Sequence, residues 1–189
     1  GSSNSAAVLR GLNSLWKLNI TEKDMLEIGL IIGADVPFCL LGGTYLAEGI
    51  GENLTKLNEF LWDNILIIKP TFSMSTAFVY KNLQPEYYNL YSNNKVLKYI
   101  DSNEFEKAAL STSNTLEKVV EKFHPEINDI KDFMIKSGAV SSNMTGSGSA
   151  VFGLYKNKKD LDNAYNNAIN IYPQSFKTRT SAFGFKICL

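Results

Sequence analysis

The chain has 189 residues, 44% of them hydrophobic, which is enough to bury the core of one large domain or two small ones. Its 19 basic and 19 acidic residues give a formal net charge of zero, so it lacks the basic excess typical of nucleic-acid binding. With His124 as its single histidine, neither a histidine-based triad nor a multi-histidine metal site is expected.

Cysteine usage and hydropathy bear on location. Cys39 and Cys188 lie far apart and show no metal-ligand spacing, which favours reduced thiols in a cytoplasmic protein. No stretch reaches the roughly 20 apolar residues that span a bilayer, so we expect no membrane partner.

The first part of the chain alternates helical and turn patterns. Apolar residues recur at helical spacing near the start, and Thr21 followed by Asp24 is typical of a helix N-terminus. The predicted elements are helices over residues 6–17 and 21–32, a turn over residues 33–37 and a strand over residues 44–48.

The rest of the chain restarts this alternation after residues 57–63, where we place a domain boundary. We therefore expect domains over residues 1–60 and 61–189 and an α+β fold. The predicted elements are strands over residues 64–69 and 150–155, a helical or turn segment over 75–82, a loop over 85–94, helices over 105–123, 125–137 and 158–171, and a closing strand within 178–189.

Three segments contain residue types that suggest chemistry. In the first, the run Gly-Ser-Ser-Asn-Ser-Ala-Ala at residues 1–7 leads directly into a helix. A helix start offers unpaired N–H groups and a partial positive charge, and small residues let a phosphate approach. Taken alone, the run could equally be an ordinary helix cap or a vector remnant.

The second segment is Gly-Ala-Asp-Val-Pro-Phe at residues 33–38, where Asp35 is the one acid in an apolar stretch. A positioned aspartate can accept a proton from a hydroxyl nucleophile and orient it toward phosphorus. The alternative is a carboxylate that only stabilises a turn.

The third segment, Thr-Gly-Ser-Gly-Ser at residues 145–149, precedes an apolar strand. Consecutive N–H groups in such a loop can bind an anion, although Gly/Ser loops are often flexible turns. It is not a Walker A loop, because no Gly-Lys-Ser/Thr follows, and it is not the G-x-G-x-x-G of a dinucleotide-binding fold.

The order of these segments resembles the GHMP kinase family. The start of the chain is similar to the end of that family's phosphate loop, and residues 144–152 are similar to its third, glycine-rich motif. Residues 30–38 and 42–52 resemble the family branch that acts on 4-diphosphocytidyl-2-C-methyl-D-erythritol, and the run from Gly33 to Phe38 is the most branch-specific part.

For the fold, the resemblance implies a two-domain kinase: an N-terminal domain like ribosomal protein S5, here truncated, and a ferredoxin-like α/β sandwich. The chain would then begin inside the phosphate loop, with Gly1 native, and lack the N-terminal third that holds an active-site lysine. We expect residues 1–189 alone to be inactive, and the missing segment to be a separate chain, unresolved or replaced by a packing partner.

For activity, the resemblance implies transfer of the γ-phosphoryl group of ATP, with Mg²⁺, to the 2-hydroxyl of the diphosphocytidyl substrate in isoprenoid biosynthesis. Asp35 would be the base, and Tyr80 would stack on cytosine, unless Tyr80 is a core residue. The implied phosphate-binding residues are Gly1, Ser2, Ser3, Asn4, Thr145, Gly146, Ser147 and Gly148, with Ser2 also near Mg²⁺. A homoserine or mevalonate kinase, or a non-catalytic relative, is the rival interpretation.

Overall fold

The computed structural model of the chain describes residues 1–89 and 94–184. These residues combine helices with two antiparallel sheets, which confirms the α+β class. They divide into two compact units: Gly1–Leu61 with the described residues from Ser181 onward, and Trp62–Thr180. Residues 181–184 therefore belong to the first unit, whereas the sequence expectation placed them in a second domain over residues 61–189.

The first unit contains three helices and a two-stranded ribbon among its described residues. Helices α1 and α2 both pack on α3, around a small core of Ala6, Met25, Val36 and Leu40. Strand β1 pairs antiparallel with β2, a short polar strand that the sequence did not predict. The elements are α1 (Ser2–Leu15), α2 (Glu22–Ile32), α3 (Val36–Leu41), β1 (Tyr45–Glu48) and β2 (Asn53–Lys56).

Local signals explain these helices. The Thr21 hydroxyl accepts the Asp24 N–H at 3.2 Å, so the predicted cap of α2 is confirmed. Helix α1 begins at Ser2, four residues earlier than expected. Pro37 lies in the first turn of α3, where its missing N–H costs no hydrogen bond, so the expected turn becomes a short helix.

The tail of the first unit runs close against the end of α3. Gly42 has a φ of +67°, and a Cβ added there would lie 1.8 Å from the backbone nitrogen of Gly184. Conversely, a Cβ on Gly184 would lie 2.3 Å from the carbonyl oxygen of Cys39. The two backbone segments can approach this closely only because both positions are glycine.

The second unit is built on a four-stranded antiparallel sheet in the order β4-β5-β3-β6. Helix α8 packs on β4 and β5, and α9 packs on β3 and β6, enclosing a core that includes Leu66, Met134, Val151 and Tyr155. The strands are β3 (Ile65–Ile68), β4 (Ser141–Met144), β5 (Val151–Leu154) and β6 (Ser175–Thr178), and the helices are α4 (Thr76–Lys81), α5 (Asn94–Asp101), α6 (Phe105–Leu110), α7 (Glu117–Phe123), α8 (Glu126–Lys136) and α9 (Lys158–Ile171).

Several sequence expectations need correction here. The single helix expected over residues 105–123 is two helices, because Thr112 bonds back to the Ala109 carbonyl and ends α6. The loop expected over residues 85–94 contains a 3-10 turn, Pro85–Asn89, and the start of α5. Of the range 178–189, where a closing strand is expected, Thr178 is the last residue of β6, and residues 185–189, with Cys188, lie outside the described residues.

No helix within the described ranges combines the length and the apolar character that crossing a bilayer demands.

Candidate functional site

The N-terminal end of α1 presents backbone N–H groups that are available as hydrogen-bond donors. Gly1 caps the helix without a side chain, and the first helical hydrogen bond runs from the Ser5 N–H to the Gly1 carbonyl at 2.9 Å. The N–H groups of Ser2, Ser3 and Asn4 have no acceptor among the described residues, and the first turn carries no acid. Such an end, open to solvent, favours an anion.

Asp35 occupies the N-cap position of α3, yet its side chain makes no capping hydrogen bond. Its φ of −86° and ψ of −8° are helical rather than extended, so the usual cap geometry is absent. The carboxylate is exposed and has no hydrogen-bond or ion-pair partner within the part of the chain that is described. Buried Val36 and Pro37 fix the backbone beside it, and the carboxylate itself is open to solvent.

Cys39 lies in α3, four residues after Asp35. Burial raises the pKa of the Cys39 thiol, and the Asp35 carboxylate raises it further. Helix α1 packs on α3, the helix that follows Asp35. The start of α1 and Asp35 therefore both belong to the first unit.

The glycine loop, residues 145–149, connects β4 to β5 in the second unit. Thr145 donates to the Ala150 carbonyl at 2.9 Å, and Gly148 donates to the Thr145 carbonyl at 3.0 Å. Gly148 has a φ of +87°, and a Cβ there would lie 2.7 Å from the Met144 sulfur, so this corner needs glycine. Among the described residues, the Gly146 and Ser147 N–H groups have no acceptor and remain available to an anion.

Helix α4 places Tyr80 near the glycine loop. The Thr76 and Ser147 hydroxyls share a hydrogen bond of 2.8 Å, and Tyr80, four residues after Thr76, lies on the same face of α4. Tyr80 is 59% exposed, while its neighbour Val79 is fully buried. The packing role in this helix therefore falls to Val79, and the Tyr80 ring is accessible to a ligand.

The predicted site residues thus form two groups, one in each unit. Sequence reasoning missed Thr76 and Asn114, whose side chains hold the glycine loop. Asn114 donates to the Met144 and Gly146 carbonyls, both at 2.8 Å. Neither residue had a local signal, because Thr76 contacts a partner 71 positions away and Asn114 contacts partners 30 and 32 positions away.

For a metal ion, the described residues offer no cluster of three or more His, Cys, Asp or Glu side chains. Mg²⁺ in kinases is held mainly by substrate phosphates, with one or two protein oxygens and water. The Ser2 hydroxyl at the open helix end and the unpaired Asp35 carboxylate are oxygen donors of that kind, so these residues fit Mg²⁺ that arrives with a triphosphate.

Comparison with known families agrees with this arrangement. Residues 1–43 match the profile of the GHMP kinases N terminal domain, and residues 95–174 match that of GHMP kinases C terminal. The two profiles together cover more than half of the chain, which therefore belongs to the GHMP kinase family, as the sequence motifs predicted.

Individual relatives give a more specific comparison than the family profiles do. A 4-diphosphocytidyl-2-C-methyl-D-erythritol kinase of Clostridioides difficile is 45% identical over 190 residues, covering 100% of this chain. The chain spans 64% of that relative's length. A crystal structure of 4-(cytidine 5'-diphospho)-2C-methyl-D-erythritol kinase superposes with a TM-score of 0.79 at 27% identity, over 95% of this chain and 65% of that one.

A homoserine kinase from Cytophaga hutchinsonii superposes with a TM-score of 0.75 over 97% of this chain and 65% of that one. At 17% identity, this likeness shows a shared fold alone.

Proposed function

We propose that the full-length protein transfers the γ-phosphoryl group of ATP to the 2-hydroxyl of 4-diphosphocytidyl-2-C-methyl-D-erythritol, a step of non-mevalonate isoprenoid synthesis. The observation that carries the kinase chemistry is Asp35, whose carboxylate is exposed and does not cap its own helix. The choice of substrate rests on the 45% identity to a kinase of that name.

In this reaction, Asp35 accepts the proton of the 2-hydroxyl as its oxygen attacks the γ-phosphorus and ADP leaves. The N–H groups at the start of α1, with the Ser2 and Ser3 hydroxyls, bind phosphate oxygens. The free N–H groups of Gly146 and Ser147 supply further donors to the charge of the triphosphate. Bound Mg²⁺ would neutralise part of that charge, and the Ser2 hydroxyl is a candidate ligand for it.

Tyr80 is the proposed platform for the cytosine ring. Its exposed aromatic face offers stacking that any pyrimidine can use. A cytoplasmic location is part of the same proposal, because Cys39 is a free thiol, as is typical of reducing compartments.

The test is a substrate panel with the full-length protein, in which ADP release is measured with the diphosphocytidyl sugar alcohol, mevalonate or homoserine. We expect turnover with the first substrate alone. Comparable turnover with homoserine would overturn the substrate assignment. If no substrate is turned over while an ATP analogue still binds, the protein is instead a non-catalytic relative.

A further inference from the structure

The glycine loop is fixed from one side by Asn114, which precedes α7. The Asn114 amide nitrogen donates to the Met144 and Gly146 carbonyls, both at 2.8 Å, and its oxygen accepts the Leu116 N–H at 3.0 Å. Both amide hydrogens and one acceptor position of this side chain are therefore used. A single residue thus ties the loop to the start of α7.

A fixed Gly146 carbonyl also fixes the direction of the N–H group in the same peptide, that of Ser147. The Gly146 carbonyl and the Ser147 N–H belong to one planar trans peptide, in which the two groups point in opposite directions. Because Asn114 holds the carbonyl, the Ser147 N–H is directed away from Asn114. This N–H is one of the loop donors with no acceptor in the described ranges.

Glu117, the first residue of α7, holds the strand end that precedes the loop. One of its carboxylate oxygens accepts the Met144 N–H at 2.7 Å, and the other pairs with the Lys131 ammonium group. The Glu117 side chain is only 5% exposed, so this contact is shielded from water. Met144 is therefore held at its N–H by Glu117 and at its carbonyl by Asn114.

We propose that Asn114 and Glu117 are positioning residues that orient the Gly146–Ser147 peptide so that its N–H faces the phosphate groups of the nucleotide. The inference rests on the proposed function for the loop's phosphate-binding role. It goes further by assigning the loop's order to two side chains that lie outside the loop. Asn114 acts on the carbonyl side of the loop, and Glu117 acts on its entry from β4.

The test compares Asn114→Ala with Asn157→Ala in the full-length protein. Asn157 is a matched control, because it also accepts a backbone N–H at the start of a helix, that of Asp160, at 2.9 Å. The glycine loop precedes β5 and Asn157 follows it, so the two lie at opposite ends of that strand. Three measurements apply to both variants: hydrogen exchange of a peptide covering residues 144–150, affinity for a non-hydrolysable ATP analogue, and steady-state kinetics.

For Asn114→Ala we expect faster exchange in the loop peptide and an about tenfold loss of analogue affinity and of kcat/KM for ATP, with KM for the second substrate unchanged. Asn157→Ala should change none of these. Asn114→Asp is a second variant for the case that the alanine variant folds poorly. It keeps the acceptor for the Leu116 N–H and loses both donors, so it should show the same faster exchange.

Unchanged loop exchange and analogue affinity in both Asn114 variants would overturn the inference. Equal increases in KM for both substrates would overturn it as well, since they indicate general damage to the protein rather than a change in loop position. Failure of the proposed function has a different signature: a wild-type protein without kinase activity whose loop exchange and analogue affinity still depend on Asn114.

Discussion

At the scale of single residues, the separation of roles within short stretches is the main finding. In α3, Val36 and Pro37 are buried while Asp35 beside them is exposed and unpaired. In α4, Val79 is buried while Tyr80 is exposed. Because packing and chemistry fall on different neighbours, the proposed site residues can be replaced with little effect on the core.

Asp35→Asn in the full-length protein should lower kcat by several orders of magnitude with little change in KM for either substrate. The amide keeps the shape of the side chain but cannot take the proton during attack. Thermal unfolding should be unaffected, since Asp35 makes no capping bond. Asp24→Asn is the control, because it alters the cap of α2 and should leave kcat near wild type. A near-wild-type kcat for Asp35→Asn would reduce Asp35 to a turn residue.

Tyr80→Ala should weaken binding of the diphosphocytidyl substrate by roughly 1–3 kcal/mol, the usual loss for one stacked base. Tyr80→Phe should have a mild effect, because the ring face is retained. The ring is 59% exposed, so its removal should open no cavity and the protein should stay folded. Tyr88→Ala, at a tyrosine that is 62% exposed, is the matched control. Calorimetric titration gives the affinities, and unfolding of Tyr80→Ala would refute the assignment.

At the scale of elements, the N-terminus of α7 connects the helical layer to the glycine loop. Glu117 is 4% exposed, and its carboxylate is shared between the Lys131 ammonium group and the Met144 N–H. Lys131 also contacts Glu121 at 3.3 Å, so α7 and α8 are joined by a small ionic network. A buried charge of this kind is costly to leave unpaired.

Glu117→Ala should therefore lower the free energy of unfolding of the second unit by about 3 kcal/mol, because it leaves the Met144 N–H and part of the Lys131 charge unsatisfied. Glu117→Gln should cost less, since its amide oxygen can still accept the N–H. Glu106→Ala is the control: its ion pair with Lys156 is about half exposed, and such pairs contribute little. Urea denaturation gives the values, and equal losses in the two alanine variants would contradict the prediction.

Elements with strong local signals were predictable from sequence, and those fixed by distant contacts were not. The cap of α2 and the whole of α9 follow from local pattern and are confirmed. The break between α6 and α7 was missed, because the residues between the two helices also bind distant partners: Asn143 donates to the Thr112 hydroxyl, and Asn114 donates to the Gly146 carbonyl. Strand β4 was missed because its sequence, Ser-Ser-Asn-Met, looks like a loop although the sheet buries most of it. For the same reason, the sequence did not predict that Thr76 and Asn114 hold the glycine loop.

At the scale of the whole molecule, the two units differ in how well they bury their apolar side chains. In the first unit, several large side chains on α1 and α2 remain more than half exposed: Val8, Leu15, Trp16, Ile31 and Ile32. An apolar surface of this extent on so small a unit favours association with further protein. The chain also spans only 64% of the length of the curated relative it matches at 45% identity.

Residues 1–189 purified alone should therefore fail to bind ATP tightly, while the full-length protein binds it in a Mg²⁺-dependent manner. The exposed apolar side chains of α1 and α2 leave the start of α1, the proposed phosphate site, poorly supported. The second unit, with its larger core, should retain its fold. Calorimetry measures the affinity, and mass spectrometry excludes a co-purified fragment. Tight Mg²⁺-dependent binding by the pure fragment would contradict this.

The contact between Gly42 and Gly184 has a consequence for the order of events during protein synthesis. A chain leaves the ribosome from its N-terminus at roughly 5–20 residues per second, so Gly184 emerges about 140 residues and several seconds after Gly42. The second unit is one continuous segment and can fold as it emerges. The first unit, although translated first, has to wait for the tail before its backbone contact at the end of α3 can form. The end of α3 is thus the part of the first unit that stays open longest in the nascent protein.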